Sequence, residues 1–404
     1  MIYKKNKLTL DRFDINKITK KYKTPIYCYS QKKIKKNIQI LKNNFKNIDP
    51  LICYAVKANS NLGILKEIKR NNLGADVVSG GELMKALKAG IHPKKIVFSG
   101  VGKVTEEIEY AIKNKILLIN AESKSEILEI EKIAKKRKKN VDIGIRLNPN
   151  TDAKTLSQIS TGKKENKFGV DQKLFLHLVN LIKKSKHLNL KCLSVHIGSQ
   201  ILNNRPYQNM LKVVDKVIKK SKYKFEYVDL GGGIGIDYYH NKSQLDLKKY
   251  SQNIEKFLKK NTCKIIFELG RSVVGNSAIL VTKIIYIKEG FKKNFVVLDA
   301  GMNDLIRPAL YGAKHKIIPL KKNKKISLKS YEFVGPICES TDSFLTVKKY
   351  QKLNEKDYLV ICDVGAYGMS LASNYNLRPK PLEILIKGSK IQVLSKRQKI
   401  SELM

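Results

Sequence analysis

LICYAVK (51–57), GADVVS (74–79), KIVFSG (95–100), LLINAES (117–123), DIGIRLNP (142–149), LKCLSVHIG (190–198), EYVDLGGG (226–233) and KIIFELGR (264–271) are short, apolar runs rich in β-branched residues. Each has the length of a buried strand. Between them lie longer, lysine-rich stretches such as GELMKALKAG, TEEIEYAIKNK and QKLFLHLVNLIKKSKHL. Their apolar residues recur every three or four positions, as in a helix packed on a sheet. Eight buried strands alternating with helices predict an α/β fold, a parallel (β/α)8 TIM-type barrel.

Beyond about residue 276 the texture changes. AILVTKIIYIKEG, KNFVVLDAG, DYLVICDVG and PLEILIKG are strand-like runs separated by turn residues, with few helical patterns. They predict a second, mainly antiparallel β domain. TPIYCYS near the start is also strand-like, with proline at its edge. The expected division is residues 1–30 as a segment joining the β domain, 31–275 as the barrel and 276–404 as the C-terminal β domain.

The 404 residues are 42% hydrophobic and carry a formal net charge of +45. Such a charge suits phosphate neutralisation, but the lysines are scattered through nearly every segment and arginine, the better base reader, is scarce. The charge is read as a solvated surface, with no specific nucleic-acid partner. No apolar run approaches the ~18 residues of a membrane span, and the opening MIYKKNKLTLDRFD has no apolar stretch suited to a secretory signal. Cys28, Cys53, Cys192, Cys263, Cys338 and Cys362 lie far apart, without metal-ligand spacing. They predict reduced thiols, no metal site and a cytoplasmic protein without a membrane partner.

Polar residues interrupt the eight runs near their C-terminal ends: Lys57, Ser79, Asn120, Arg146, His196, Gly231 to Gly233, Glu268 and Arg271. In a barrel these ends converge on the face where active sites are built. A lysine leaving a buried strand has either a snorkelling role or, with its amine desolvated, a nucleophilic one. GGGIG (231–235) follows the seventh run, where barrels bind phosphate through backbone N–H groups, although glycines also make plain turns. Glu268 is placed either to pair with Arg271 or to protonate a pyridine nitrogen. His196 is either a structural residue or a flat partner for a ring.

YAVKAN (54–59), VSGGEL (78–83), HIGSQ (196–200), GGGIG (231–235), ELGR (268–271), DAGMNDLIRPALYGAKH (299–315), GPICES (335–340) and DVGAYGMSLASNYNLRP (363–379) together resemble the diaminopimelate decarboxylase family. That family belongs to the alanine-racemase-like, fold-type III pyridoxal-phosphate enzymes. The resemblance runs in order along nearly the whole chain and implies decarboxylation of meso-2,6-diaminopimelate to L-lysine and carbon dioxide, the last step of lysine biosynthesis by the diaminopimelate route. It implies pyridoxal 5'-phosphate held as a Schiff base by Lys57, with His196 stacked on its ring. Gly233 and the segment Glu268, Leu269, Gly270 and Arg271 would hold phosphate and ring, with Tyr367 also touching the phosphate. Arg271, Arg307 and Tyr311 would grip the retained carboxylate, Glu339 would meet the distal amine, and Tyr367 would also face the substrate. Cys338 is the implied proton donor. In the family, Cys338 and Glu339 come from a second subunit, so a homodimer with shared sites is implied. Leu269 stands where the family usually has proline, which bears on local loop geometry.

The nearest rival is a related decarboxylase of carboxynorspermidine or a basic amino acid; arginines for a second carboxylate argue against a basic substrate. From another class, a cofactor carrier or a nucleic-acid binder would show no carbon dioxide release.

Overall fold

The computed structural model describes residues 1–4, 6–153, 161–162 and 165–404, with backbone alone for Lys4. Among these residues the eight apolar runs are strands: Leu51–Ala55, Gly74–Val77, Ile96–Phe98, Leu118–Ala121, Val141–Leu147, Leu188–Val195, Tyr227–Asp229 and Lys264–Leu269. Each pairs in parallel with the next, and the eighth closes on the first, with Glu268 opposite Cys53 and Leu269 opposite Tyr54. The expected barrel is therefore present, and its strands are largely apolar because both their faces are covered.

Helices Leu62–Arg70, Gly80–Lys88, Thr105–Lys113, Lys124–Lys136, Gln172–Lys183, Asn204–Ser221 and Leu247–Leu258 follow strands one to seven. Their buried stripes, such as Phe175, Leu178, Val179 and Ile182, keep helical spacing. Side chains of Asn61, Ser79, Ser123, Asp171, Asn203 and Asp246 accept backbone N–H bonds at the helix starts. These caps let each helix begin close behind its strand.

Two compact units divide the chain. The barrel unit is Ile38–Ile236 with Ser243–Ser272; the β unit is Met1–Asn37, Asp237–Lys242 and Val273–Met404. Ile26–Ser30, from TPIYCYS, pairs antiparallel with Ala278–Lys288 and parallel with Leu382–Lys387 in a nine-stranded sheet. Most pairings in that sheet are antiparallel, as expected. Ile26 and Cys28, Ile279 and Val281, Val360 and Cys362, and Leu382, Ile384 and Ile386 alternate onto one buried face. A small sheet of Ile2–Lys4, Lys7–Leu10 and Phe13–Asp14, not expected from sequence, adds Leu8 and Leu10 to that core. Its strands are too short and too lysine-rich to register as a pattern. Among the described residues no helix is long and apolar enough to cross a membrane.

Candidate active site

Inside the barrel an apolar level lies beneath a polar one. Cys53, Val97, Leu118, Cys192 and Ile266 form a buried cluster. Two residues further along the same chains come Ala55, Ser99, Asn120, Ser194 and Glu268, a spacing that keeps a side chain on the same face of a strand. Ser99 Oγ donates to Glu268 Oε1 (2.8 Å), and Asn120 Nδ2 donates to Ser99 Oγ (3.3 Å) and to Asp229 Oδ2 (3.1 Å). Ser194 Oγ and the Gly231 N–H also donate to Asp229. Asp76, Asp229 and Glu268 are all buried.

Glu268 and Asp229 lie against one another, and two buried carboxyls so placed resist ionising together. Burial raises the Glu268 carboxyl well above its ordinary range, and the charges of Asp229 and Asp76 raise it further. Burial also pushes Asp229 up, to about 6, against the opposing hydrogen bonds from Glu268, Gly231 and Asn120. The two carboxyls therefore resist ionising together, as a pair that shares a proton does. Among the described residues Glu268 and Arg271 form no ion pair; Arg271 Nε and Nη2 donate to Ser199 Oγ at 3.2 and 3.0 Å.

Lys57 follows the first strand in the tight turn Val56–Ala58. Its Nζ lies 2.5 Å from Asp76 Oδ2, an ion pair in which the lysine side chain is 38% exposed and the aspartate fully buried. Gly270, after Leu269, runs so close that a Cβ there would lie 2.8 Å from Ala58 Cβ. Glu82 is pushed up to about 7, mainly by burial.

His196 Nδ1 accepts the Gly232 N–H at 3.1 Å. Burial, then Arg146 and Lys57, hold its pKa well below 6.5, so the ring is neutral with its proton on Nε2. In the seventh-strand loop Gly231 and Gly233 have φ of +64° and +94°, and a Cβ on Gly233 would lie 2.5 Å from the Gly198 carbonyl oxygen. A Cβ on Gly232 would collide with the Glu268 carbonyl. Glycine is required here, and among the described residues the Gly233 N–H has no hydrogen-bond partner. A half-buried amine, a buried acid whose carboxyl is pushed up, a neutral flat ring and a glycine cradle match the aldehyde, ring nitrogen, ring face and phosphate of pyridoxal phosphate. The Asp76 Oδ1, buried and without a hydrogen-bond partner among the described residues, leaves one further acceptor at this level.

Ser79 and Arg146 serve as framework. Ser79 caps helix Gly80–Lys88, and Arg146 pairs with Glu122 at 2.9 Å and stacks on Phe168. Asp76 and Asp229 were not singled out from sequence, although each is a charge inside an apolar run.

In the β unit, Arg307 and Tyr311 bound a five-residue helix that Gly312 ends at φ +61°. Arg307 is buried, and its Nη1 lies 2.9 Å from His315 Nε2. Cys338 and Glu339 are exposed in the turn after Ser330–Val334. The Cys338 N–H donates to Asn376 Oδ1, and Glu339 Oε1 accepts from the Tyr375 hydroxyl at 2.6 Å. Tyr367 has φ +58°, a left-handed conformation of the kind that gathers at functional sites.

The family model of the pyridoxal-dependent decarboxylase pyridoxal-binding domain matches residues 31–275. The chain is 45% identical over 394 residues to a diaminopimelate decarboxylase of Helicobacter pylori, covering 97% of each. Its fold matches the crystal structure of the Helicobacter pylori enzyme complexed with L-lysine with TM-score 0.92 and 44% identity, covering 96% of this chain and 98% of that one. A diaminopimelate decarboxylase from M. jannaschii, in co-complex with L-lysine, matches with TM-score 0.93 and 34% identity over 99% of this chain and 95% of its own.

Proposed function

Because this chain belongs to the diaminopimelate decarboxylases, a family of pyridoxal-dependent enzymes, we propose that the mouth of its barrel carries the chemistry through Lys57, His196, the Gly231–Gly233 cradle and Glu268. The chain is a carboxy-lyase that takes meso-2,6-diaminopimelate to L-lysine and carbon dioxide, the last step of lysine biosynthesis by the diaminopimelate route. The rival substrates, carboxynorspermidine and basic amino acids, are not favoured by relatives of this likeness.

Pyridoxal 5'-phosphate, when bound, supplies the electron sink for the pair released as the carbon–carboxylate bond breaks. Lys57 would hold the cofactor's aldehyde through its amine, and Asp76, 2.5 Å away, would pair with that amine when it carries a proton. Glu268 would keep a proton at the ring nitrogen, its own carboxyl being raised by burial and by Asp229. His196, neutral, would cover the ring face without adding charge. The N–H of Gly233 would hold the phosphate, assisted by the backbone of Leu269 and Gly270 and by Tyr367. Arg271, Arg307 and Tyr311 bind the carboxylate that is retained, with Tyr367 also on the substrate, and Glu339 binds the distal amine. Cys338 delivers the proton that replaces the lost carboxyl group.

Cys338 and Glu339 act in a homodimer with shared sites, and their exposure on a tethered turn supports that reading. Residues 31–275 form the cofactor-binding division, flanked by 1–30 and 276–404 as the β division. The cell compartment is the cytoplasm, consistent with six free thiols.

One observation carries the assignment: Lys57 and Glu268, distant in sequence, share a single buried acidic layer through Asp76. Carbon dioxide release is measured from meso-diaminopimelate, ornithine, arginine and carboxynorspermidine in parallel. Turnover of the first alone is expected, with Lys57→Ala losing both turnover and the visible cofactor band. An unchanged spectrum in that variant rejects the role of Lys57. Glu339→Ala is expected to raise KM, and wild-type kinetics reject its contact with the amine.

A further inference from the structure

His315 lies eight residues beyond Arg307 and returns to it after the turn at Gly312. Its Nδ1 stands 2.8 Å from the Cys362 carbonyl oxygen, which only accepts, so Nδ1 carries the proton. Its Nε2 stands 2.9 Å from Arg307 Nη1, which only donates, so Nε2 offers its lone pair. Both ring nitrogens are thereby committed to one neutral tautomer. The Tyr238 ring meets the imidazole edge-on at 5.3 Å, and the Arg307 guanidinium carbon lies 4.7 Å from the Tyr238 ring centre. His315, Arg307 and Tyr238 are 1%, 5% and 7% exposed.

We infer that His315 is a positioning residue for substrate, fixing the Arg307 guanidinium through a hydrogen bond from a neutral acceptor. This inference rests on the reading that Arg307 binds the retained carboxylate. A buried arginine needs acceptors to hold its planar fork in one orientation. An acidic acceptor would also neutralise the fork and compete with an incoming carboxylate. Imidazole, supported by the tyrosine face, supplies orientation without a competing charge. The carbonyl of Cys362, at the end of strand Tyr358–Cys362, sets the imidazole's own direction.

His315→Gln and His315→Glu separate geometry from charge, because the two side chains have nearly the same shape and both offer an oxygen acceptor. With meso-diaminopimelate, His315→Gln is expected to keep KM within about threefold of wild type, while His315→Glu raises it about tenfold or more with a smaller change in kcat. His315→Ala, losing the acceptor outright, is expected to raise KM about tenfold with the visible cofactor band unchanged. Arg307→Ala combined with His315→Ala should be no worse than Arg307→Ala alone. Equal KM values for the Gln and Glu variants overturn the inference, as does a wild-type KM in His315→Ala. If Arg307→Ala itself keeps a wild-type KM, it is the carboxylate-binding reading that fails. An impaired Arg307→Ala beside a normal His315→Ala rejects the His315 inference alone.

Discussion

Glu268 and Asp229 retain a proton at the expense of the fold that contains them. Their folded pKa values lie above the ordinary carboxylate values of 4.5 and 3.8, so the folded protein binds protons more tightly than the unfolded chain. The stability this contributes is complete below the ordinary carboxylate range and is lost as pH rises through about 6 for Asp229 and higher for Glu268. The cofactor-free protein should therefore melt at a lower temperature at about pH 8 than at about pH 5. Glu268→Gln should flatten that dependence and raise the melting temperature at the higher pH, while lowering kcat by roughly a hundredfold. A melting profile that rises with pH in the wild type removes the shared-proton account.

The seventh-strand loop places several functions in one backbone segment. The Gly231 N–H bonds Asp229 and the Gly232 N–H bonds His196, while among the described residues the Gly233 N–H has no partner. Because a Cβ on Gly232 would meet the Glu268 carbonyl, Gly232→Ala should shift the loop away from the eighth strand. We expect cofactor affinity to fall at least about tenfold, read by reconstitution titration, with little change in far-ultraviolet circular dichroism. Retained affinity would mean that the loop yields without moving its N–H groups. Leu269, where the family usually has proline, pairs with Tyr54 as the last residue of its strand. Leucine there keeps the backbone N–H that proline lacks.

For the molecule as a whole, the proposed shared site has a direct consequence. Lys57→Ala and Cys338→Ala chains, each inactive alone, should recover about a quarter of wild-type activity when refolded together, since half of the pairs then contain one intact site. No recovery, with dimers present by sedimentation, places Cys338 and Lys57 in the same chain's site. The barrel was legible because eight apolar runs and their helical spacers are local patterns, and the β unit was legible in its four longest runs. The N-terminal strands and the half-exposed Lys390–Ser395 carry no such periodicity, and packing alone defines them. At the site, Lys57, His196, the glycines and Glu268 could be marked because each breaks an apolar run at its end. Sequence by itself determined which chemical groups are present, their order along the barrel and the family they resemble. Only the tertiary structure decided that Glu268 faces Asp229 and Ser99 while Arg271 faces Ser199, that Asp76 balances Lys57, and that His315 orients Arg307. Those outcomes depend on distances of about 3 Å between residues far apart in the chain, and on burial, which sets where their protons reside.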